Sequence, residues 1–122
     1  MLRHDILKHP TNLLTSVQRD QYFEEGAVIV EGAIPETWLK RLRAASDEIL
    51  ERSRSVAESD GQYILEAGHS TTAPRLKRLS SPVDHHPTFW DFTSSSPAVE
   101  AAADLVGPDV KYYHSKLNFK VA

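Results

Sequence analysis

The final fourteen residues, 109–122, gather the side chains best suited to hold a polar ligand. They follow a turn signal, Gly107-Pro108, and contain no further glycine or proline. Their β-branched and aromatic content predicts a strand over 109–122. Alternate side chains of a strand share a face. Val110, Tyr112, His114, Lys116, Asn118 and Lys120 therefore fall on one side, and Lys111, Tyr113, Ser115, Leu117, Phe119 and Val121 on the other. The second set, apolar towards its C-terminal end, should pack on a core. The first strings imidazole, ammonium and amide groups at intervals of about 6–7 Å, two strand residues apart. Such a row either meets water, the ordinary fate of one face of an antiparallel strand, or lines a polar cavity.

Two other stretches carry chemical groups. Pro74-Arg-Leu-Lys-Arg-Leu79 sets three cations around Leu76 and Leu79. It reads either as an anion site, for a carboxylate or for phosphates, or as a solvated cluster beside two anchoring leucines. Asp84-His85-His86-Pro87 offers adjacent imidazoles, but neighbours in sequence point different ways. Metal sites favour spacings that share a face, such as i,i+4 on a helix. A helix start fits better, with Pro87 in the first turn of Thr88-Phe-Trp-Asp-Phe92.

Composition narrows the classes. The 122 residues suffice for one modest domain with a small core. Charged residues make up 25%, apolar ones 40%, and the net charge is 14 − 17 = −3, so a general affinity for nucleic acid or anionic membrane is not expected. No apolar run approaches the roughly 20 residues that cross a bilayer, and Met1-Leu-Arg-His-Asp5 lacks a signal peptide's apolar stretch. Cysteine is absent, which removes disulfides, thiolate metal sites and cysteine nucleophiles and fits a cytoplasmic protein.

The positioning elements follow from local signals. Residues 1–14 show no sustained period and are expected to form a loose arm. Thr15 and Gln18 make a capping-box pattern for a helix whose buried side is expected to hold Val17, Tyr22 and Phe23. Gly26 suits its left-handed end. The apolar run 27–30 reads as a buried strand closed by Gly32. Pro35 starts a second helix, to about Ser55, with Trp38, Leu42, Ala45 and Ile49 at helical spacing and Leu39 and Leu50 widening the stripe. Arg43 with Asp47 and Glu48 with Arg52 form i,i+4 pairs on its wetter side. Ser59-Asp60-Gly61 is a turn, Gln62–Leu65 a short strand, and 68–73 a loop. A last helix begins at Ser96-Pro97, buries Val99, Ala102, Ala103 and Val106, and stops at Gly107-Pro108.

Several of these segments together resemble the phytanoyl-CoA dioxygenase family. Residues 114–120, His-Ser-Lys-Leu-Asn-Phe-Lys, preceded by Leu105-Val-Gly-Pro-Asp109, carry the closest likeness. The opening helix with Leu14-Thr15, Gln18 and Tyr22 is similar too. So are the Gly26–Val30 run, the helix from Pro35, Pro74-Arg-Leu76 and His86-Pro87 with Phe89-Trp90. The resemblance implies an α+β chain: N-terminal helices packed on the first strands of an incomplete double-stranded β-helix, or jelly roll. The resemblance covers most of the chain, which is read as a single partial domain over 1–122. It further implies a non-haem Fe(II) enzyme that oxidatively decarboxylates 2-oxoglutarate to hydroxylate an unactivated C–H bond of a small molecule or acyl-CoA.

Iron in such enzymes is held by two histidines and a carboxylate, two of them as His-x-Asp or His-x-Glu. Here His4, His9, His69, His85, His86 and His114 are followed two positions on by Ile6, Thr11, Thr71, Pro87, Thr88 and Lys116. No catalytic residue and no metal ligand is therefore assigned, and turnover by these 122 residues alone is not expected. Asn118 falls where related hydroxylases use an asparagine near the co-substrate, whereas His114 stands where such a relative carries glutamine. With Lys116 and Lys120 these are the candidate cofactor-binding residues. A small-molecule substrate is expected once downstream sequence completes the fold, and the last strand should present an open edge that invites self-association. The alternative is a non-catalytic binding or interaction module that keeps the helical front of the fold.

Overall fold

The computed structural model describes residues 1–120, so Val121, assigned above to the packed face of the last strand, lies outside them. Five helices and three strands run in the order α1 (Arg3–Ile6), α2 (Ser16–Glu25), α3 (Glu36–Arg52), β1 (Tyr63–Leu65), β2 (Leu76–Ser80), α4 (Pro87–Ser95), α5 (Pro97–Val106) and β3 (Lys116–Asn118) among the described residues. The architecture is α+β, with one three-stranded antiparallel sheet in the order β1-β2-β3. Two compact units divide the chain: Met1–Trp38 with Phe92–Tyr112, and Leu39–Asp91 with the segment from Tyr113. No helix among the described residues is long and apolar enough to cross a membrane.

In the first unit the local signals act as expected at the ends of α2. The Thr15 hydroxyl accepts from the Gln18 amide at 3.1 Å, and the Gln18 side chain accepts from the Thr15 amide at 3.0 Å. Gly26 ends the helix at φ +80°, a conformation that costs glycine nothing. Its buried side differs from expectation. Val17 is 75% exposed, and Arg19 is buried at 8%, with Nη1 donating to the His9 carbonyl at 2.8 Å. Tyr22 and Phe23 are half-buried. An arginine stem is apolar for most of its length and covers surface as well as valine does, provided its head finds an acceptor.

Residues 1–14, expected as a loose arm, carry α1 and bury Ile6 and Leu14. Asp104 on α5 anchors them. Its Oδ1 accepts from the Asn12 amide at 2.7 Å and the Asn12 side chain at 3.3 Å. Its Oδ2 accepts from the Leu13 and Leu14 amides, each at 2.8 Å. Burial by itself would raise this carboxyl, but the bonds from Leu14, Asn12 and Leu13 outweigh it and hold the group below the usual aspartate range. Helix α5 starts as expected, with the Ser96 hydroxyl accepting from the Ala98 amide and Pro97 in the first turn. The buried side again differs: Val106 is 55% exposed while Asp104 is 2% exposed.

The run 27–30 forms no strand, and Ile29 is 85% exposed. An apolar run becomes a strand only by pairing, and the ladders of the described sheet use other residues. Trp38, at the start of α3, meets the Phe92 ring edge-on at 5.5 Å.

The second unit is built on one buried cluster: Ala45 and Ile49 from α3, Leu76 and Leu79 from β2, and Phe89 from α4, with Leu42, Leu50, Tyr63, Leu65, Leu117 and Phe119 packed around it. The amphipathic stripe of α3 thus sits as its spacing predicts, and Glu48 reaches Arg52 at 3.5 Å on the outer side. Strand β2 is the element the sequence conceals. Leu76 and Leu79 are both buried but three residues apart, which breaks a period of two. A bulge resolves the conflict: Ile64 pairs Arg78 while Leu65 pairs Leu76, so Lys77 is the extra residue.

Among the described residues, the predicted strand over 109–122 is realised only as β3. Its ladder depends on β2, where Ser80 pairs Lys116. Ser81 then turns away at φ +50° after its amide donates to the Ser115 carbonyl. Among the described residues, 109–115 form no strand. Within the paired part the alternation holds: Leu117 and Phe119 pack on the core, and Lys116, Asn118 and Lys120 are exposed.

Candidate anion-binding groove

The β1–β2 connection positions the first half of the site. The Glu66 amide donates to the Arg75 carbonyl at 2.7 Å, closing the hairpin below the loop. His69 braces that loop from inside. Its Nδ1 accepts from the Arg75 amide at 2.9 Å, and its Nε2 lies 3.0 Å from the Val56 carbonyl. Held at both ring nitrogens, this histidine is a staple that fixes the Arg75 backbone. Beyond β3, the Phe119 amide donates to the Lys77 carbonyl at 2.9 Å and brings the end of the chain alongside the bulge.

Glu66, Arg75, Lys77, Asn118, Phe119 and Lys120 line an open groove of about 540 Å³. Three cations face one carboxylate there, beside a carboxamide able to donate and accept. The two stretches singled out in the sequence, the basic cluster and the terminal segment, meet at this place. Of the candidate residues, Asn118 and Lys120 line the groove and are exposed to solvent. Lys116 is exposed on β3 away from it, and His114 is exposed with its ring edge-on to Tyr113 at 4.7 Å. Glu66 was not legible beforehand, because only the hairpin register brings it opposite Arg75.

Such a set of groups can bind and orient an oxyanion. The described residues lining the groove include no histidine, serine or cysteine. Among the described residues no group of three His, Cys, Asp or Glu side chains could hold a metal ion.

The histidine pair is used structurally. His86 Nδ1 accepts from the Thr88 amide at 3.1 Å, capping α4, and its Nε2 lies 3.1 Å from the Glu48 carboxylate. His85 Nε2 sits 2.7 Å from the Gln62 side-chain oxygen, and the ring stands edge-on to Tyr63. In the adjacent turn Asp60 accepts from the Tyr63 and Gln62 amides, each at 2.7 Å, and these bonds lower its carboxyl.

No family model, no curated protein and no solved structure matches the chain.

Proposed function

We propose that the chain is the N-terminal portion of a non-haem Fe(II)- and 2-oxoglutarate-dependent dioxygenase of the phytanoyl-CoA dioxygenase family, acting in the cytoplasm on a small molecule or acyl-CoA. In this reading the three strands begin a jelly roll, with α3 and α4 against one face of the sheet. The observation that carries the proposal is the meeting of Arg75 and Lys77 with Asn118 and Lys120 in one groove. Resemblance in the order of motifs supports it.

The groove fits a carboxylate of 2-oxoglutarate: Arg75, Lys77 and Lys120 would hold the charge and Asn118 would orient it. When bound in a complete enzyme, 2-oxoglutarate supplies two electrons by decarboxylation to succinate, alongside the two taken from the substrate's C–H bond. Iron does not fit the described residues. The contribution of this chain is to bind and orient the co-substrate's acidic group.

Calorimetric titration with 2-oxoglutarate tests the binding part. The 122-residue chain is expected to bind it, and Lys77→Glu with Lys120→Glu is expected to abolish binding. Succinate formation with Fe(II) and oxygen is expected only from a polypeptide extended by adjoining coding sequence that supplies His-x-Asp. Absence of 2-oxoglutarate binding, or an extended product without turnover, would leave the non-catalytic module as the better reading.

A further inference from the structure

We infer that Arg78 anchors a second oxyanion site on the face of the sheet that points away from the helices. Strand register fixes which residues share that face. Tyr63, Leu79 and Leu117 form one cross-strand row and pack on the core. The next row, Ile64–Arg78–Asn118, therefore points to the opposite side, and Ser80 with Lys116 follows it. Directly paired residues stand about 5 Å apart and their diagonal neighbours about 7–8 Å. The Arg78 guanidinium, the Asn118 amide and the Lys116 ammonium are thus within reach of one small ligand.

The state of Arg78 points to what that ligand is. Its Nε is buried and has no hydrogen-bond partner. A guanidinium carries its charge at every accessible pH and presents a planar fork of donors. A guanidinium fork ordinarily closes on a carboxylate or on carbonyls, as that of the exposed Arg41 does with Asp91 at 2.7 Å. On this face Ser80, Lys116 and Asn118 flank Arg78 and bring no negative charge, while the groove that Asn118 also lines holds one carboxylate, Glu66. An oxyanion accepted by the guanidinium fork, with Asn118 donating beside it and Lys116 adding charge, would supply a partner. The class of ligand is a carboxylate or a phosphate monoester, both of which fit a bidentate guanidinium. The groove relies on Arg75, Lys77 and Lys120, so the two sites differ in their cations while sharing Asn118, and the inference stands whether or not the oxygenase reading does.

The test follows the side-chain Nε–Hε resonance of Arg78 in the ¹⁵N-labelled 122-residue chain during titration with succinate and, separately, with inorganic phosphate. A saturable shift with either probe is expected, and the probe that binds tighter assigns the ligand to carboxylates or to phosphates. Arg78→Lys keeps the charge but loses the fork, and is expected to weaken that binding about tenfold. Arg75→Gln, in the groove, should leave the Arg78 titration unchanged. An Arg78 resonance that neither probe moves would overturn the inference. So would equal affinity in a folded Arg78→Lys chain, or loss of the Arg78 shift in Arg75→Gln.

Discussion

Replacing Asp104 by alanine removes the acceptor for three consecutive backbone amides, those of Asn12, Leu13 and Leu14, and for the Asn12 side chain. The Asp104–Leu14 bond is buried and the other three are part-buried. A buried donor left unpaired costs about 1–3 kcal/mol, and bonds to a charged acceptor lie at the upper part of that range. One full penalty and three partial ones give a loss of about 3–5 kcal/mol, a large share of the roughly 5–15 kcal/mol of a typical domain. Asparagine at 104 should fall between, because its NH₂ must face donors on one side. Urea unfolding followed by tryptophan fluorescence reads the loss, and amide exchange at Leu13 and Leu14 reads its location. The pH dependence has a definite sign. Asp104 is held below its ordinary value, so its contribution is complete above the unfolded pKa of about 3.9 and is lost as pH falls through the folded one. The gap between native and Asp104→Ala stability should therefore close on acidification. A loss under about 1 kcal/mol at neutral pH, or Leu14 exchanging as fast in the native chain as in the variant, would refute the anchoring role.

Leu79 is fully buried beneath the sheet, so Leu79→Ala should cost about 2–5 kcal/mol in a denaturant titration. Val17→Asp should shift stability by less than about 0.5 kcal/mol, whereas Arg19→Ala, losing a buried stem and the bond to His9, should cost about 1–2 kcal/mol. A reversed order would restore Val17 to the buried side of α2. His86→Ala removes the cap on the Thr88 amide and should cost about 1 kcal/mol, with earlier exchange of the Thr88 amide as the local signature.

Signals that act over a few residues were open to reading in the chain itself. The Thr15–Gln18 capping box, the left-handed Gly26, the Ser96-Pro97 start of α5 and the stripe of α3 all lie where their residue types place them. Each is settled by backbone geometry or by the period of one helix, and needs no distant partner. Side-chain type was a poorer guide to burial when a charged group could be satisfied. Arg19 and Asp104 displaced Val17 and Val106 from the interior because carbonyl and amide partners from residues 9–14 were at hand.

What only the tertiary structure decided is pairing. The run 27–30 has the composition of a strand and forms none among the described residues, while β2 has the wrong spacing and forms the centre of the sheet through its bulge at Lys77. Among the described residues the terminal segment bonds to the β2 segment only from Ser115 to Phe119, and its predicted alternation holds there. The groove exists for the same reason. Arg75 and Lys77 come beside Asn118 and Lys120 because hydrogen bonds between strands, closed around a buried leucine pair, fix a register that no stretch of either strand specifies by itself.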